Sequence, residues 1–305
     1  MTLELLLQII LDNLMLSAVL MLATMGIVLI FRTSITTNFS QGMMATFSAF
    51  IAATLMGKLI NSIPGISSPL ALTIGIVAGI IVAFLMGLFV DTMIIRKSKF
   101  VTSAGKQMIT MGLVLVLTGL IPVIFGTLPI DMPRFSYEIL SFNFLGLNLT
   151  IPVHNLITIL AAFIVITIVF VALKFTKWGL GVRATASNEM VAGMMGVNTF
   201  VITALSWSIA GALGALSASL YAPSAGNLTS GLMVTMQVNG FLAAILGSFS
   251  SFIGPVVGSL IIPISTGIIA FFSPVWRDVI VYVLVLVIVL IKPVGLFGKK
   301  ISKKV

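Results

Sequence analysis

The chain has 305 residues, of which 59% are hydrophobic and only 8% are charged. A soluble domain carries about 25% charged residues, so the composition excludes a soluble protein and predicts an integral membrane protein. The absence of cysteine excludes disulfides, thiolate metal sites and cysteine catalysis. The single histidine, His154, excludes a metal site or proton relay built from several histidines.

The first residues, MTLELLLQII, contain no basic segment, and no convincing small-residue cleavage site follows them. We interpret them as the start of an uncleaved first span rather than as a signal peptide. Long uncharged runs follow, among them 59–90, 107–130 and 190–276. Such continuous apolar stretches predict helices, because a transmembrane barrel shows alternating strands of about ten residues.

The predicted fold is an all-α, polytopic transmembrane bundle of eight or nine spans, which forms a single domain over residues 1–305. The predicted spans are 6–31, 38–57, 69–95, 106–126, 154–174, 199–221, 236–249, 254–272 and 278–297. The second span begins with polar residues and is a candidate broken helix. The segment 247–255 is rich in Gly and Ser, which predicts either a tight turn or the kink of a re-entrant helix.

The basic residues predict the orientation of the bundle. Thirteen of the 16 Lys and Arg residues fall on one side of the predicted spans. They are Arg32, Arg96, Lys97, Lys99, Lys106, Lys174, Lys177, Arg183, Lys292, Lys299, Lys300, Lys303 and Lys304. This side is expected to be cytoplasmic, with the C-terminus inside, the N-terminus outside and the loop 127–153 outside. The net charge of +9 therefore reflects orientation and not nucleic-acid binding.

Motifs for catalysis are missing from the chain. No phosphate-binding Gly-x-x-x-x-Gly-Lys-[Ser/Thr] loop, no Gly-x-Ser-x-Gly elbow and no His-Glu-x-x-His pair occurs. The chain is therefore expected to have no ATP site of its own and not to be an enzyme. Asp12 and Asp91 are the deepest acids in the predicted spans, and we interpret both as structural. Their positions argue against a proton-coupled carrier.

Four uncharged polar residues are candidates for lining a translocation path. Asn38 and Gln41 lie three residues apart and are expected to share a helix face. Gln237 and Asn239 open the seventh predicted span. The alternative is that these side chains only form hydrogen bonds between helices, which is their commoner use in membranes.

The loop 175–198 is predicted to contain a short helix. Ser187 or Asn188 supplies an N-cap, Glu189 complements the helix dipole in the first turn, and Gly196 suits the position just after the last turn. The apolar positions are Met190, Val191, Met194 and Met195. A helix of about seven residues is unstable alone, so it needs a protein partner, the lipid surface or the underside of the bundle.

Three stretches resemble one family, the integral membrane permeases of branched-chain amino acid ABC transporters. TTNFSQGMMATFSAFIAA (36–53) is similar to its Asn-Phe-Ala-x-Gly segment. GLGVRATASNEMVAGMMGVN (179–198) is similar to its cytoplasmic loop, and FLAAILGSFSSFIGPVVGSLI (241–261) to its Leu-Gly-Gly segment. Ser248 replaces the second Gly of Leu-Gly-Gly, and Gln41 stands where the family commonly has His or Gln.

The resemblance implies a permease subunit in a prokaryotic plasma membrane, with no cofactor. Its partners would be a second, similar permease, two ATP-binding cassette subunits and an extracytoplasmic binding protein that contacts loops 127–153 and 222–235. The segment 188–196 would be the helix that couples the permease to the ATPase. Its implied coupling residues are Arg183, Asn188, Glu189, Ala192 and Gly196. Three alternatives remain open: a permease for urea, amides or sugars, a stand-alone carrier or channel, and a membrane protein without a pathway.

Overall fold

The computed structural model describes residues 2–98, 101–144 and 146–298. This part of the chain forms eleven helices and one antiparallel β-hairpin. The helices are α1 (Leu3–Ser34), α2 (Gln41–Ser62), α3 (Ser68–Ile95), α4 (Ser103–Phe125), α5 (Val153–Phe175), α6 (Lys177–Ser187), α7 (Glu189–Met194), α8 (Thr199–Ala225), α9 (Val234–Gly247), α10 (Ile253–Phe272) and α11 (Arg277–Ile291). The last turn of α3, Val90–Ile95, is a π-helix. The strands are β1 (Ile139–Phe144) and β2 (Leu147–Pro152).

The all-α class and the polytopic membrane architecture are confirmed. Seven of the described helices are long and apolar enough to cross a membrane, namely α1, α2, α3, α4, α5, α8 and α10. Two of the nine predicted spans correspond to shorter helices. Helix α9 has 14 residues and α11 has 15, so each is about 21–23 Å long and shorter than a hydrocarbon core of about 30 Å.

The core of the bundle is built on α1 and α8. Trp207 of α8 is completely buried, and its indole Nε1 donates to the Ser34 hydroxyl of α1 over 2.9 Å. Small residues allow α3 to approach α8 closely. Gly87 lies against the carbonyl oxygen of Trp207, and Gly211 lies against that of Ala83, with no room for a Cβ at either glycine. This is the close backbone approach by which helices associate in lipid.

The two ends of the bundle differ in charge. Among the described residues, one end carries Arg32, Arg96, Lys97, Lys106, Lys174, Lys177, Arg183 and Lys292 and is called the basic end below. Hydrogen bonds connect its loops, for example from the Ser103 hydroxyl to the carbonyl oxygen of Ile35. The opposite end carries the start of α1 and the hairpin, joined by a bond from Gln8 Nε2 to the carbonyl oxygen of Thr150.

The loop 127–153 contains structure that the sequence analysis did not predict. Its second half is the β1–β2 hairpin, which turns at Gly146 with a φ of 80°. The first half is held by His154, which is fully buried. Its Nδ1 accepts the backbone N–H of Phe135 over 3.3 Å, so its Nε2 carries the proton and donates to the carbonyl oxygen of Leu220. His154 therefore fixes the loop to the ends of α5 and α8.

The segment 247–255 is a tight turn between antiparallel helices. Helix α9 ends at Gly247 and α10 begins at Ile253. Gly247 and Gly254 lie directly against each other, and Gly258 lies against the backbone of Ala243. Ser248 takes a φ of 98° to reverse the chain. The turn lies at the basic end, where the rings of Phe31 and Phe249 are 4.4 Å apart.

Candidate functional site

Helix α2 begins inside the bundle rather than at its end. The side-chain Nε2 of Gln41, its first residue, donates to the carbonyl oxygen of Ala23 on α1 over 3.0 Å. Ala23 lies eleven residues before the end of α1 at Ser34, which is about 16 Å along the helix. The segment 35–40 therefore turns back from the basic end into the bundle, and α2 starts at roughly half the depth of a membrane.

Helix α9 begins at the same depth. The amide Nε2 of Gln237 donates to the carbonyl oxygen of Asn38 over 3.2 Å. A Cβ at Gly42 would stand 3.1 Å from both the Gln237 side chain and the carbonyl oxygen of Met233. The starts of α2 and α9 are therefore in direct contact, and from there α9 runs to the basic end while α2 runs to the opposite end. We call this the α2–α9 contact. Short, interrupted helices of this kind line substrate sites in many transporters.

Two of the four predicted path residues lie together at the α2–α9 contact. Asn38 and Gln237 meet there, but the prediction that Asn38 shares a helix face with Gln41 is wrong. Asn38 precedes the helix, and its Oδ1 accepts the N–H and the hydroxyl of Ser40 in a local turn, the competition with helix that is typical of Asn. Gln41 points away, between α1 and α8, and its Oε1 is buried without a hydrogen-bond partner.

The fourth residue, Asn239, faces another helix. Its Oδ1 accepts the hydroxyl of Tyr282 on α11 over 3.0 Å. Asn239 therefore forms a bond between helices, the alternative that the sequence left open.

The two deep acids form local bonds. The Asp12 carboxylate accepts from Gln8 Nε2 over 2.8 Å near the start of α1. Asp91 is 3% exposed and pairs with Arg96 over 3.2 Å. The Arg96 guanidinium also lies 3.7 Å above the Phe200 ring and donates to Thr203, which connects the π-helical turn of α3 to the first turn of α8. The sequence does not predict this cluster, since the link between α3 and α8 is a tertiary contact.

A helix that the sequence analysis did not predict precedes the short helix. The segment after α5 forms α6, and the hydroxyl of Thr176 caps it by accepting the N–H of Gly179 over 3.1 Å. Two glycines lower its intrinsic helix propensity. Both are required by packing, since Gly179 lies against the carbonyl oxygen of Leu173 and Gly181 lies against Ile202. Arg183 donates to the same Leu173 carbonyl and ties α6 to the end of α5.

The short helix α7 has both of the predicted ends. Asn188, rather than Ser187, is the N-cap, and its Oδ1 accepts the N–H of Val191 over 3.1 Å. Gly196 has a φ of 84° just after the helix. The N–H of Val197 reaches the carbonyl of Ala192, and that of Gly196 reaches the carbonyl of Gly193, which is the Schellman arrangement. The helix has six residues, one fewer than predicted.

The outer face of α7 is apolar and exposed. Met190, Met194 and Met195 are 72%, 78% and 80% exposed, and Val191 is 52% exposed. Ala192 is buried against the bundle at 4% exposure. Glu189 in the first turn is exposed. Unbranched methionines in such a patch suit a surface that repacks against a protein partner. Within the described ranges, no three His, Asp or Glu side chains lie close enough to share a metal ion.

Comparison with known proteins supplies the context for these features. Residues 9–290 match the family model of the permease component of branched-chain amino acid transport systems. A probable branched-chain amino acid transport permease, LivH, of Methanocaldococcus jannaschii is 24% identical over 296 residues, which cover 92% of this chain and 89% of the relative. The high-affinity permease BraD of Pseudomonas aeruginosa is 24% identical over 88% of both chains.

A further relative matches over a shorter range. The high-affinity permease LivH of Escherichia coli K12 is 26% identical over 147 residues, which is 48% of each chain. No solved structure matches the chain significantly.

Proposed function

The chain belongs to the family of permease components of branched-chain amino acid transport systems, and on this premise we propose that it is the transmembrane permease subunit of an ATP-driven importer. Its substrates are branched-chain or related amino acids, the substrates named for its relatives. It provides the translocation path, while separate ATP-binding cassette subunits hydrolyse ATP. The chain itself makes and breaks no covalent bond.

Helix α7 is the observation that carries this proposal. Six residues are too few for a stable isolated helix, yet both ends are closed by local hydrogen bonds and three methionines face outward. Its rigid link to α5 through α6 and Arg183 suits an element that transmits force rather than a loose connection. We propose that the segment 188–196 docks on the ATPase subunit and that Arg183 anchors it, with Glu189 and Met194 in the contact.

The α2–α9 contact is our candidate for the part of the path that opens and closes. Asn38 and Gln237 place amide groups at mid-depth, where the substrate would otherwise meet only apolar side chains. Gln41 holds the start of α2 against α1. Since α2 and α9 run from this point toward opposite ends of the bundle, separation of their starts would connect the two sides. Asn239 contributes indirectly, by fixing α9 to α11.

The charge difference between the two ends supports an assignment of sides. We propose that the basic end faces the cytoplasm of a prokaryotic cell, because basic loops are retained on that side. The opposite end, with loops 127–153 and 222–235, then receives an extracytoplasmic binding protein. A second, similar permease completes the path, and the C-terminus is cytoplasmic while the N-terminus is outside.

Reconstitution tests the proposed function. The purified chain in liposomes should transport no leucine by itself. It should transport leucine when a second permease, the ATPase subunits, a loaded binding protein and ATP are present. Transport by the chain alone would instead establish a stand-alone carrier or channel.

The substrate class is tested on the partner binding protein, which performs most of the selection in such importers. Its affinities for leucine, isoleucine and valine should exceed those for urea and sugars by orders of magnitude. A preference for urea, amides or sugars would retain the permease role and overturn the amino-acid assignment.

A further inference from the structure

A large cleft opens at the basic end, away from the α2–α9 contact. Its volume is about 1080 Å³. Its walls are the last turns of α1 and α5, the end of α6, the turn between α9 and α10, and the segment 293–297 after α11. The cleft therefore lies where two membrane-spanning helices end, at the boundary between the hydrocarbon and water.

The cleft is lined by cations and contains no acid. Arg32, Lys174 and Arg183 line it, and no Asp or Glu does. The ion pairs found in residues 2–98, 101–144 and 146–298 are Arg96 with Asp91 and Arg277 with Asp278. None of the three cleft cations is therefore neutralised by a described carboxylate, and their repulsion favours an anion between them.

The two arginines are held in place with free donors. The Arg32 guanidinium lies 4.5 Å above the ring of Phe252 and makes no hydrogen bond to another described residue. Arg183 donates from Nη1 to the carbonyl oxygen of Leu173. A guanidinium has five N–H donors in a planar fork that matches phosphate geometry. Most of these donors remain available to a ligand in the cleft.

Four of the remaining lining residues are serines and the others are apolar, which favours an amphipathic ligand over a simple inorganic anion. Phe170, Ile245 and Val294 line the cleft together with the cations. An inorganic ion would satisfy the arginines and leave these side chains uncovered. A ligand with a charged head and an apolar body satisfies both parts of the surface, and the membrane supplies such ligands at this depth.

We propose that this cleft binds the phosphate headgroup of an anionic phospholipid. The arginines hold the phosphate, Lys174 adds charge, and the acyl chains leave along the apolar walls. The assignment to the cytoplasmic leaflet rests on the orientation proposed above, whereas lipid binding itself does not depend on transport. Four lysines follow the lining residue Phe297 in the sequence, at 299, 300, 303 and 304. Such clusters next to a span favour anionic lipid, although these lysines lie outside the described residues.

Lipid retention on the purified full chain tests this proposal. The chain is exchanged into micelles containing phosphatidylglycerol and phosphatidylcholine, and bound lipid is measured by native mass spectrometry. Wild type should retain phosphatidylglycerol preferentially. Arg32→Gln and Lys174→Gln should each weaken that preference roughly fivefold. Lys97→Gln, a charge removed from the same end but outside the cleft, should leave it unchanged. Arg32→Lys keeps the charge but loses the planar fork, and it should retain only part of the preference.

Several results would overturn the proposal. Equal retention of both lipids, or equal losses in Lys97→Gln and Arg32→Gln, would show that only the general charge of this end matters. Displacement of the lipid by soluble glycerol phosphate at similar concentration would identify a site for free anions instead. Occupation of the cleft by the ATPase subunit, seen as crosslinks from residue 32, would make it a protein interface. Thermal unfolding of each variant verifies that the chain is folded.

Discussion

The short helix α7 and the longer helix α2 both begin at polar residues. Local sequence determines where α7 begins and ends, whereas contacts with other helices determine where α2 begins. The ends of α7 are set by its own sequence, through the Asn188 cap and the positive φ of Gly196, and its apolar side chains face outward. The start of α2 is set by tertiary contacts: Gln41 donates to a carbonyl of α1, and Gly42 lies against the start of α9. We propose that α7 is a surface for another molecule, whereas the start of α2 is a contact within this one.

Mutations in the two regions should therefore have different effects. Changes in α7 should alter assembly with partners while the bundle stays folded. Changes at the α2–α9 contact should alter the bundle itself and the movement of substrate through it.

A bulky side chain at the α2–α9 contact should have the largest effect. In Gly42→Leu the new side chain would collide with Gln237 and the Met233 carbonyl. Overpacking of this kind typically lowers the free energy of unfolding by about 1–3 kcal/mol. We expect a lower unfolding temperature in detergent and loss of transport. Gly57→Leu is the matched control, because it lies on the same helix with no atom within 4 Å of a Cβ. Equal losses of stability and transport in the two variants would show that the α2–α9 contact has no special role.

Charges on the exposed face of α7 should affect assembly alone. The double variant Met190→Asp, Met194→Asp replaces two methionine side chains, which are 72% and 78% exposed, with carboxylates. Stability of the isolated chain should change by less than about 0.5 kcal/mol. Binding of the ATPase subunit should weaken by about 2 kcal/mol, roughly 30-fold, as expected for interface anchors. Leu128→Asp, at the opposite end, should leave this affinity unchanged; a similar loss there would contradict a localised docking surface.

Loss of one amide at the contact should be milder. Gln237→Leu removes the hydrogen bond to the Asn38 carbonyl, which is worth about 1 kcal/mol. Transport by the reconstituted importer should fall several-fold while ATPase binding is retained. Thr235→Val, in the first turn of the same helix and exposed, is the control. Unaltered transport in Gln237→Leu would exclude this amide from the path.

The smallest effect should come from adding a methyl group at Gly196, just after α7. Neither Gly193 nor Gly196 has an atom within 4 Å of a Cβ, but only Gly196 has a positive φ. Gly196→Ala should therefore destabilise the closed end of α7 by about 1 kcal/mol, whereas Gly193→Ala should stabilise the helix slightly. Amide hydrogen exchange over 189–197 would measure both. Faster exchange in Gly193→Ala than in Gly196→Ala would contradict the local control of this helix.

The sequence was sufficient where local signals agree with the fold. Long apolar runs predicted the spanning helices, and Asn188 and Gly196 predicted the ends of α7, because caps and turn conformations depend on neighbouring residues. The Gly and Ser content of 247–255 left a tight turn and a re-entrant kink open, and the structure has the turn.

The sequence was insufficient where distant segments decide the structure. The inward path of 35–40 is fixed by Gln41 and Ala23, which are 18 positions apart. The apolar run of α9 resembled a full span, yet the segment before it descends into the bundle. Helix α6 forms despite Gly179 and Gly181 because both lie against other backbone or side-chain atoms. Each of these features depends on contacts that no local pattern records.

We propose that α7 is the site at which this permease receives the work of ATP hydrolysis. The chain has no cysteine, so Met194→Cys introduces a unique thiol on the exposed face of α7, and Leu128→Cys introduces one at the opposite end. Crosslinking to a co-expressed ATPase subunit with single cysteines around its docking groove is the direct measurement. If this proposal is right, a crosslink forms from residue 194 with a yield that changes with nucleotide, and none forms from residue 128. Absence of a crosslink from residue 194 in every nucleotide state would contradict it.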